Sequence, residues 1–448
     1  MKRRVGALAI GLAVVWAAAA EANTFKVTRT NDPNPGACTR SDCSLREAVL
    51  RANARLGADR IVLPNSRRAY RLTRASTGED LAMDGDLDLL VDPVTILHKG
   101  KGRATIDGEA AGDRLFESYV RTNLKKLVLT GGSAPDAPSD DSGGAIEAKA
   151  PLTVSNSLLR GNVAPKFGGA ISHEVGALRV IGSKLIGNRA LDEAGAINAG
   201  GNRVLIKRST IRRNRADDAG GGAMYVSLSG GLTIERSTFA GNRAMGDGGA
   251  VFVNNGKASI RGSTFSKNRS GDDGGAIISY STSAALANST FSGNRAGGDG
   301  GAIVNGGALV VNATTVARNV SNADEDGGGA GGGIQNLGGF VEIANSLLAL
   351  NDQRVGDADD CAGSFSSAGG NLRTVDVDCG GFDGARDAVR ANPKIGRLKA
   401  NGGRTQTIAL KRRSAAIGRA IRAGSPNRDQ RGRKRDRRPD SGAYERGA

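Results

Sequence analysis

Aromatic residues make up only 4% of this 448-residue chain, with five tyrosines and a single tryptophan, Trp16. That is poor stock for ring platforms that stack along a sugar or nucleic-acid strand. There are two histidines, His98 and His173, and four cysteines without a C-x-x-C spacing. The common structural zinc patterns are therefore excluded. The glycine-rich middle holds no run long enough for a helix of ordinary length, which rules out helical and strand-plus-helix repeats. One long apolar run exists, Val5 to Ala20, and it is too short and wrongly flanked for a stable membrane anchor.

What the chain has is repetition. Gly248-Gly249-Ala250-Val251, Gly274-Gly275-Ala276-Ile277 and Gly300-Gly301-Ala302-Ile303 are copies of one phrase. Its closing apolar residue recurs at Ile146, Ile171, Ile197, Met224, Val251, Ile277, Ile303 and Ile334, in steps of 25 to 27 with a last one of 31. A second phrase keeps the same beat at Ser237-Thr238-Phe239, Ser263-Thr264-Phe265 and Ser289-Thr290-Phe291, each followed by an asparagine three residues on. Between them lie short alternations such as Leu152-Thr153-Val154 and Leu232-Thr233-Ile234, bounded by Gly, Asn, Asp and Ser. Alternation over so few residues reads as strand. Three short strands and three turns per period of about 26 residues predict an all-β solenoid, a parallel β-helix.

The ends read differently. Lys2, Arg3 and Arg4 before the apolar run, and Ala20-Glu21-Ala22 after it, predict a signal peptide over 1–22 and an exported mature chain. Export is consistent with two local disulfides, Cys38 with Cys43 and Cys361 with Cys379. Residues 23–65 are read as an N-terminal cap. Within it Ser44 and Glu47 have capping-box spacing, and Leu45, Ala48, Val49 and Ala52 make one apolar face, so a short helix is expected across the open end of the solenoid. The solenoid itself is assigned to 66–385 and a basic C-terminal segment to 386–448. The formal charge is +17, which favours acidic partners such as anionic polysaccharide or an envelope surface. The C-terminal cluster, Arg428 through Arg438, is either a solvated tail or a polyanion site. It has no interleaved aromatics, so sequence-specific nucleic-acid recognition is not expected.

Three stretches resemble known families. Cys43-Ser44-Leu45-Arg46-Glu47-Ala48 matches the hexapeptide that names the CSLREA domain of exported bacterial proteins. The Gly-Gly-Ala phrases with their Ser-Thr-Phe partners resemble the polymorphic outer-membrane protein repeat. Asn401-Gly402-Gly403-Arg404-Thr405-Gln406-Thr407 and Gly442-Ala443-Tyr444-Glu445 resemble the choice-of-anchor Q region. These resemblances imply the pectin-lyase-like superfamily and a right-handed coil. They also imply a cell-surface, periplasmic or secreted protein. The chain ends at Ala448, shortly after the anchor-like region, so no transmembrane or covalent anchor is expected in the mature chain.

Charged and polar columns follow from the period. Arg189, Arg215, Arg243, Arg269 and Arg295 form one, and Asp192, Asp218, Asp247, Asp273, Asp299 and Asp326 another. The two are expected to neutralise each other. A Ca²⁺-binding ridge is the competing reading, weakened because the G-G-x-G-x-D nonapeptide of calcium-binding β-rolls is missing. No other cofactor and no metal ligand set is expected. Asn162, Asn188, Asn214, Asn242, Asn268, Asn294, Asn319 and Asn351 read as a structural amide ladder. No catalytic residues are assigned. A ligand groove, if present, should lie beside the Gly-Gly-Ala strands at Ser172, His173, Asn198, Tyr225, Phe252 and Gln335. The function expected is a non-catalytic scaffold of adhesin type, with a lyase on anionic polysaccharide as the alternative.

Overall fold

The computed structural model describes residues 22–76, 78, 81–137, 141–325, 327–355, 359–375 and 379–447. Residues 1–21 of the expected signal peptide, and Asp326, lie outside the described residues. Strands stack coil on coil into three long parallel sheets of 13, 12 and 12 strands. The first carries the alternating segments Leu152–Ser155, Ala177–Ile181, Arg203–Lys207 and Gly231–Glu235, each paired with the next. The second carries the Gly-Gly-Ala phrases, and the third the Ser-Thr-Phe phrases. The phrase residues meet their own counterparts: Ile146 pairs with Ile171, Ile171 with Ile197, Ile197 with Met224 and Met224 with Val251. Sequence period and coil length are the same quantity.

Small turn residues make this register tight. A Cβ on Gly249 would sit 2.3 Å from the carbonyl oxygen of Gly275 in the next coil, so only glycine fits there. Inside the coil, apolar side chains form columns. Phe239, Phe265 and Phe291 stack with ring centroids 4.9 and 4.8 Å apart and nearly parallel. The asparagine column is a hydrogen-bonded ladder. Each Nδ2 from Asn162 to Asn319 donates to the next Oδ1 at 2.9 to 3.0 Å, and the same oxygen accepts the backbone N–H of the preceding rung. The ladder ends on a carboxylate, with Asn351 donating to Asp360. A serine ladder runs beside it, as in Ser183 N–H to Ser209 Oγ at 3.2 Å.

The helix Leu45–Asn53 covers one end, with the capping box formed between Ser44 and Glu47. Cys43 is bonded to Cys38 and Cys361 to Cys379. Arg46 is wholly buried and clamps the end of the solenoid. It pairs with Asp32 at 2.9 Å and donates to the carbonyls of Ala82, Asp84, Gly85 and Asp86. The first sheet begins with Thr24–Lys26 and Asp59–Leu63, so the stretch read as a cap also contributes strands.

The C-terminal segment is folded, which removes the solvated-tail reading. It forms an antiparallel pair, Ile395–Lys399 with Thr407–Leu410, and lies against the third sheet. Gln430 is the main fastener: its Nε2 donates to Ser263 O and Thr264 Oγ1, and its Oε1 accepts from Thr290 Oγ1. Arg435, one of the cluster expected to face solvent, is buried in an ion pair with Glu445 at 3.1 Å.

Asn268→Ala should lower unfolding stability by about 2 to 3 kcal/mol, because it removes the shared acceptor of the Asn242 N–H and Nδ2, leaving that Nδ2 only Ile211 O, and the side-chain donor to the Phe239 carbonyl. Urea unfolding would show this as a lower midpoint at unchanged slope.

Candidate functional site

One residue past each closing apolar residue of the phrase, side chains face outward and stack into a column. In order it reads Asp88, Glu117, Glu147, Ser172, Asn198, Tyr225, Phe252, Ile278, Val304 and Gln335. The structure thus brings five of the six expected ligand residues, Ser172, Asn198, Tyr225, Phe252 and Gln335, into one line. Asn198, Tyr225, Phe252 and Gln335 are partly exposed, whereas Ser172 is buried. His173 corrects the expectation. The two-residue alternation of the strand turns it away from the column, it is 1% exposed, and burial pushes its pKa down to about 4. It is a neutral interior group without access to a ligand.

The middle of the column is aromatic. Tyr225 and Phe252 stack at 4.9 Å, and Phe252 meets Tyr280 at 6.0 Å. Tyr280 is 42% exposed and extends the patch sideways. Acids flank it. Burial first, then Asp192, holds Glu193 up at about 7, and burial together with Asp299 and Asp247 holds Asp273 up at about 6. Near neutrality Glu193 is about half protonated and Asp273 mostly ionised, so the patch is a weakly acidic, ring-lined surface.

The N-terminal end of the column is charged and was not foreseen. Oxygens of Asp86, Asp88 and Glu117 lie within 4.8 Å of one another. Arg114 reaches into the group, 3.8 Å from Asp86, 3.7 Å from Glu117 and 3.2 Å from Glu147, and Lys149 pairs with Glu117. Burial raises Asp86 well above the carboxylate range, with Asp88 and Asp113 adding to it. Three hard oxygen donors, one of them the Asp86 Oδ2 without a hydrogen bond, fit a divalent cation in donor chemistry. Their accessibility does not fit a substrate-bridging ion: Asp86, Asp88 and Glu117 are 5%, 0% and 4% exposed. The cluster was legible in principle. Ile146-Glu147 belongs to the repeated phrase, and extending its outward position back by two coils reaches Glu117 and Asp88.

Among the described residues no ion pair joins the arginine column to the aspartate column, against the expected neutralisation. Arg189 and Arg215 both pair with Asp217, which belongs to neither column. The aspartates are instead held by backbone: Asp247 accepts from the N–H of Asp273 at 3.0 Å, and Asp273 from that of Asp299 at 2.7 Å. A carboxylate can accept but not donate, so an acid column satisfies itself only through the N–H groups of the next coil.

Glu147 gives this site a pH signature. Burial raises it from 4.5 to about 7 against the pull of Arg114 and Lys149. The folded chain therefore holds a proton that the unfolded chain has released. This contribution is full below about 4.5 and is lost as pH rises to about 7. His173, depressed to about 4, acts in the opposite sense between about 4 and 6.5. The clean readout is thus a difference: Glu147→Gln should lose less melting temperature than the parent protein between pH 5 and pH 8.

Comparison with known proteins bears on the scaffold. No curated protein matches the chain. A crystal structure of a pectate lyase aligns with 96% of this chain and 98% of its own, at 14% identity and a TM-score of 0.49. Residues 168–348 match the family model described as the right handed beta helix region. That match covers the most regular coils, and the three stacked sheets continue beyond it in both directions: the chain folds as a right-handed parallel β-helix.

Proposed function

We propose that the protein is an exported, non-catalytic binding scaffold that presents the aromatic column to carbohydrate at a cell envelope or in the extracellular space. The observation that carries this reading is the line Asn198, Tyr225 and Phe252 with Tyr280 beside it, three rings held in fixed register on a rigid sheet. Rings fixed by stacking lose little freedom on binding, and their outward edges give the apolar faces of sugars a preformed surface. Further along the column, Ile278 and Val304 are buried and carry no acid or base. The two local disulfides support an oxidising compartment. Among the described residues no helix is long and apolar enough to cross a membrane. The hexapeptide Cys43–Ala48 fits the same reading, since its residues close the end of a long rod.

A second reading, a lyase acting on anionic polysaccharide, draws on the carboxylates Asp86, Asp88 and Glu117 beside Arg114 and Lys149. A lyase needs a base that reaches the carbon next to a uronate carboxylate. The burial of these acids leaves no room for a sugar against them, and Lys149 and Arg114 are already engaged with them. The binding reading is therefore preferred.

The double variant Tyr225→Ala, Phe252→Ala should weaken binding to a soluble polysaccharide panel by roughly tenfold or more, with circular dichroism unchanged. Calorimetric titration reads the change. Equal affinity in parent and variant would remove the column from the ligand site.

A further inference from the structure

A recess of about 1120 Å³ lies away from the aromatic column, where the C-terminal segment is laid along the corner between the first and third sheets. One wall consists of strand ends and turns of consecutive coils, including Lys207, Arg236 and Arg261. The other is the C-terminal segment at Arg404 and from Pro426 to Gly432. Its size is that of a ligand pocket rather than of a packing defect.

Its charge is uncompensated. The acids that line it are already engaged: Glu235 pairs with Lys207 at 2.8 Å and Asp429 with Arg431 at 2.7 Å. Arg236, Arg261, Arg404 and Arg428 are exposed and have no acidic partner among the described residues. Arg236 occupies the left-handed turn position, at φ 48°, that other coils fill with Lys126, Asn156, Gly182, Arg208, Gly262, Asn288 and Ala313. The turn places its side chain at the rim of a cleft already rich in positive charge.

We infer that this cleft binds an acidic oligosaccharide, whose carboxylate or sulfate groups are held by Arg236, Arg261, Arg404 and Arg428. Guanidinium forks match planar carboxylates and sulfates better than a point charge does. Arg236 and Arg261 lie in consecutive coils one register position apart, since Arg261 faces Glu235 in the sheet and Arg236 follows Glu235. With Arg404 and Arg428 on the facing wall, four guanidiniums are spread over the recess, which suits a chain of acidic units more than a lone phosphate. No aromatic ring lines the cleft, so the base stacking that nucleic-acid strands require is missing. The walls are preorganised, because Gln430 and Asn288 tie the C-terminal segment to the coils beneath it. This site and its ligand charge are distinct from the aromatic column, which is flanked by acids.

The test uses the full mature chain and three probes: a hexamer of galacturonate, a sulfated hexasaccharide and a single-stranded oligonucleotide of equal charge. Affinities are read by fluorescence anisotropy over graded salt. The parent should bind at least one acidic sugar, more weakly as salt rises, and more tightly than the oligonucleotide. The triple variant Arg236→Ala, Arg261→Ala, Arg404→Ala should lose at least about tenfold in affinity at unchanged melting temperature. A control, Arg243→Ala, Arg269→Ala, Arg295→Ala, removes equal charge from the exposed arginine column and should bind as the parent does. A carboxylate-only or sulfate-only preference tells which anionic group the cleft takes. The inference is overturned if the parent binds neither sugar, if both triple variants lose equally, or if the oligonucleotide binds as tightly as the sugars.

Discussion

Coils stacked in register multiply whatever they carry, and this constraint governs the rest of the structure. A side chain at one position faces its own counterpart a single strand spacing away, above and below. Apolar groups accept this freely, as the Phe239, Phe265 and Phe291 stack shows. A buried polar group accepts it only if it both donates and accepts. Asparagine and serine do so, and they form the two continuous ladders. Charges do not, and each charged column here has its own remedy. The aspartates borrow backbone N–H groups, Arg189 and Arg215 converge on Asp217, and the buried acids at the N-terminal end gather around Arg114.

The same constraint makes the ends demanding, because an unpaired coil edge offers its backbone to any other edge. At one end Arg46 spends its donors on four carbonyls and Asp32, work that neither lysine nor an apolar residue could do. At the other, Asp360 terminates the asparagine ladder. The C-terminal segment then folds back along the third sheet, covering Thr264, Thr290 and Thr315 and creating the basic cleft at its margin.

The coil architecture was legible because a strict period survives in the amino-acid order: Ile146 to Ile334 marks the second sheet, and Ser237-Thr238-Phe239 the third. The capping helix was legible from Ser44 and Glu47. The column of Asn198, Tyr225 and Phe252 was legible as well, since alternation fixes which neighbours of a phrase residue face out. That rule, applied to His173, would have placed it inside. What could not be read was anything that depends on contacts between distant segments. Arg435 reaches Asn288, and Gln430 reaches Thr290 and Ser263, across 140 residues or more, and nothing in a run of arginines reveals that one of them is buried. The arginine and aspartate columns misled for a related reason. Both have the right period, but the turn points their side chains at different partners.

The proposed binding role and the lyase alternative part company at Asp86, Asp88 and Glu117, whose burial favours the former. The most direct measurement follows the ultraviolet absorbance of unsaturated sugar ends while the mature protein is incubated with a panel of polyuronates, with and without Ca²⁺. A flat trace under both conditions is the predicted result. A steady, calcium-dependent rise would contradict the account and turn attention to Asp86, Asp88 and Glu117 as the ion's ligands.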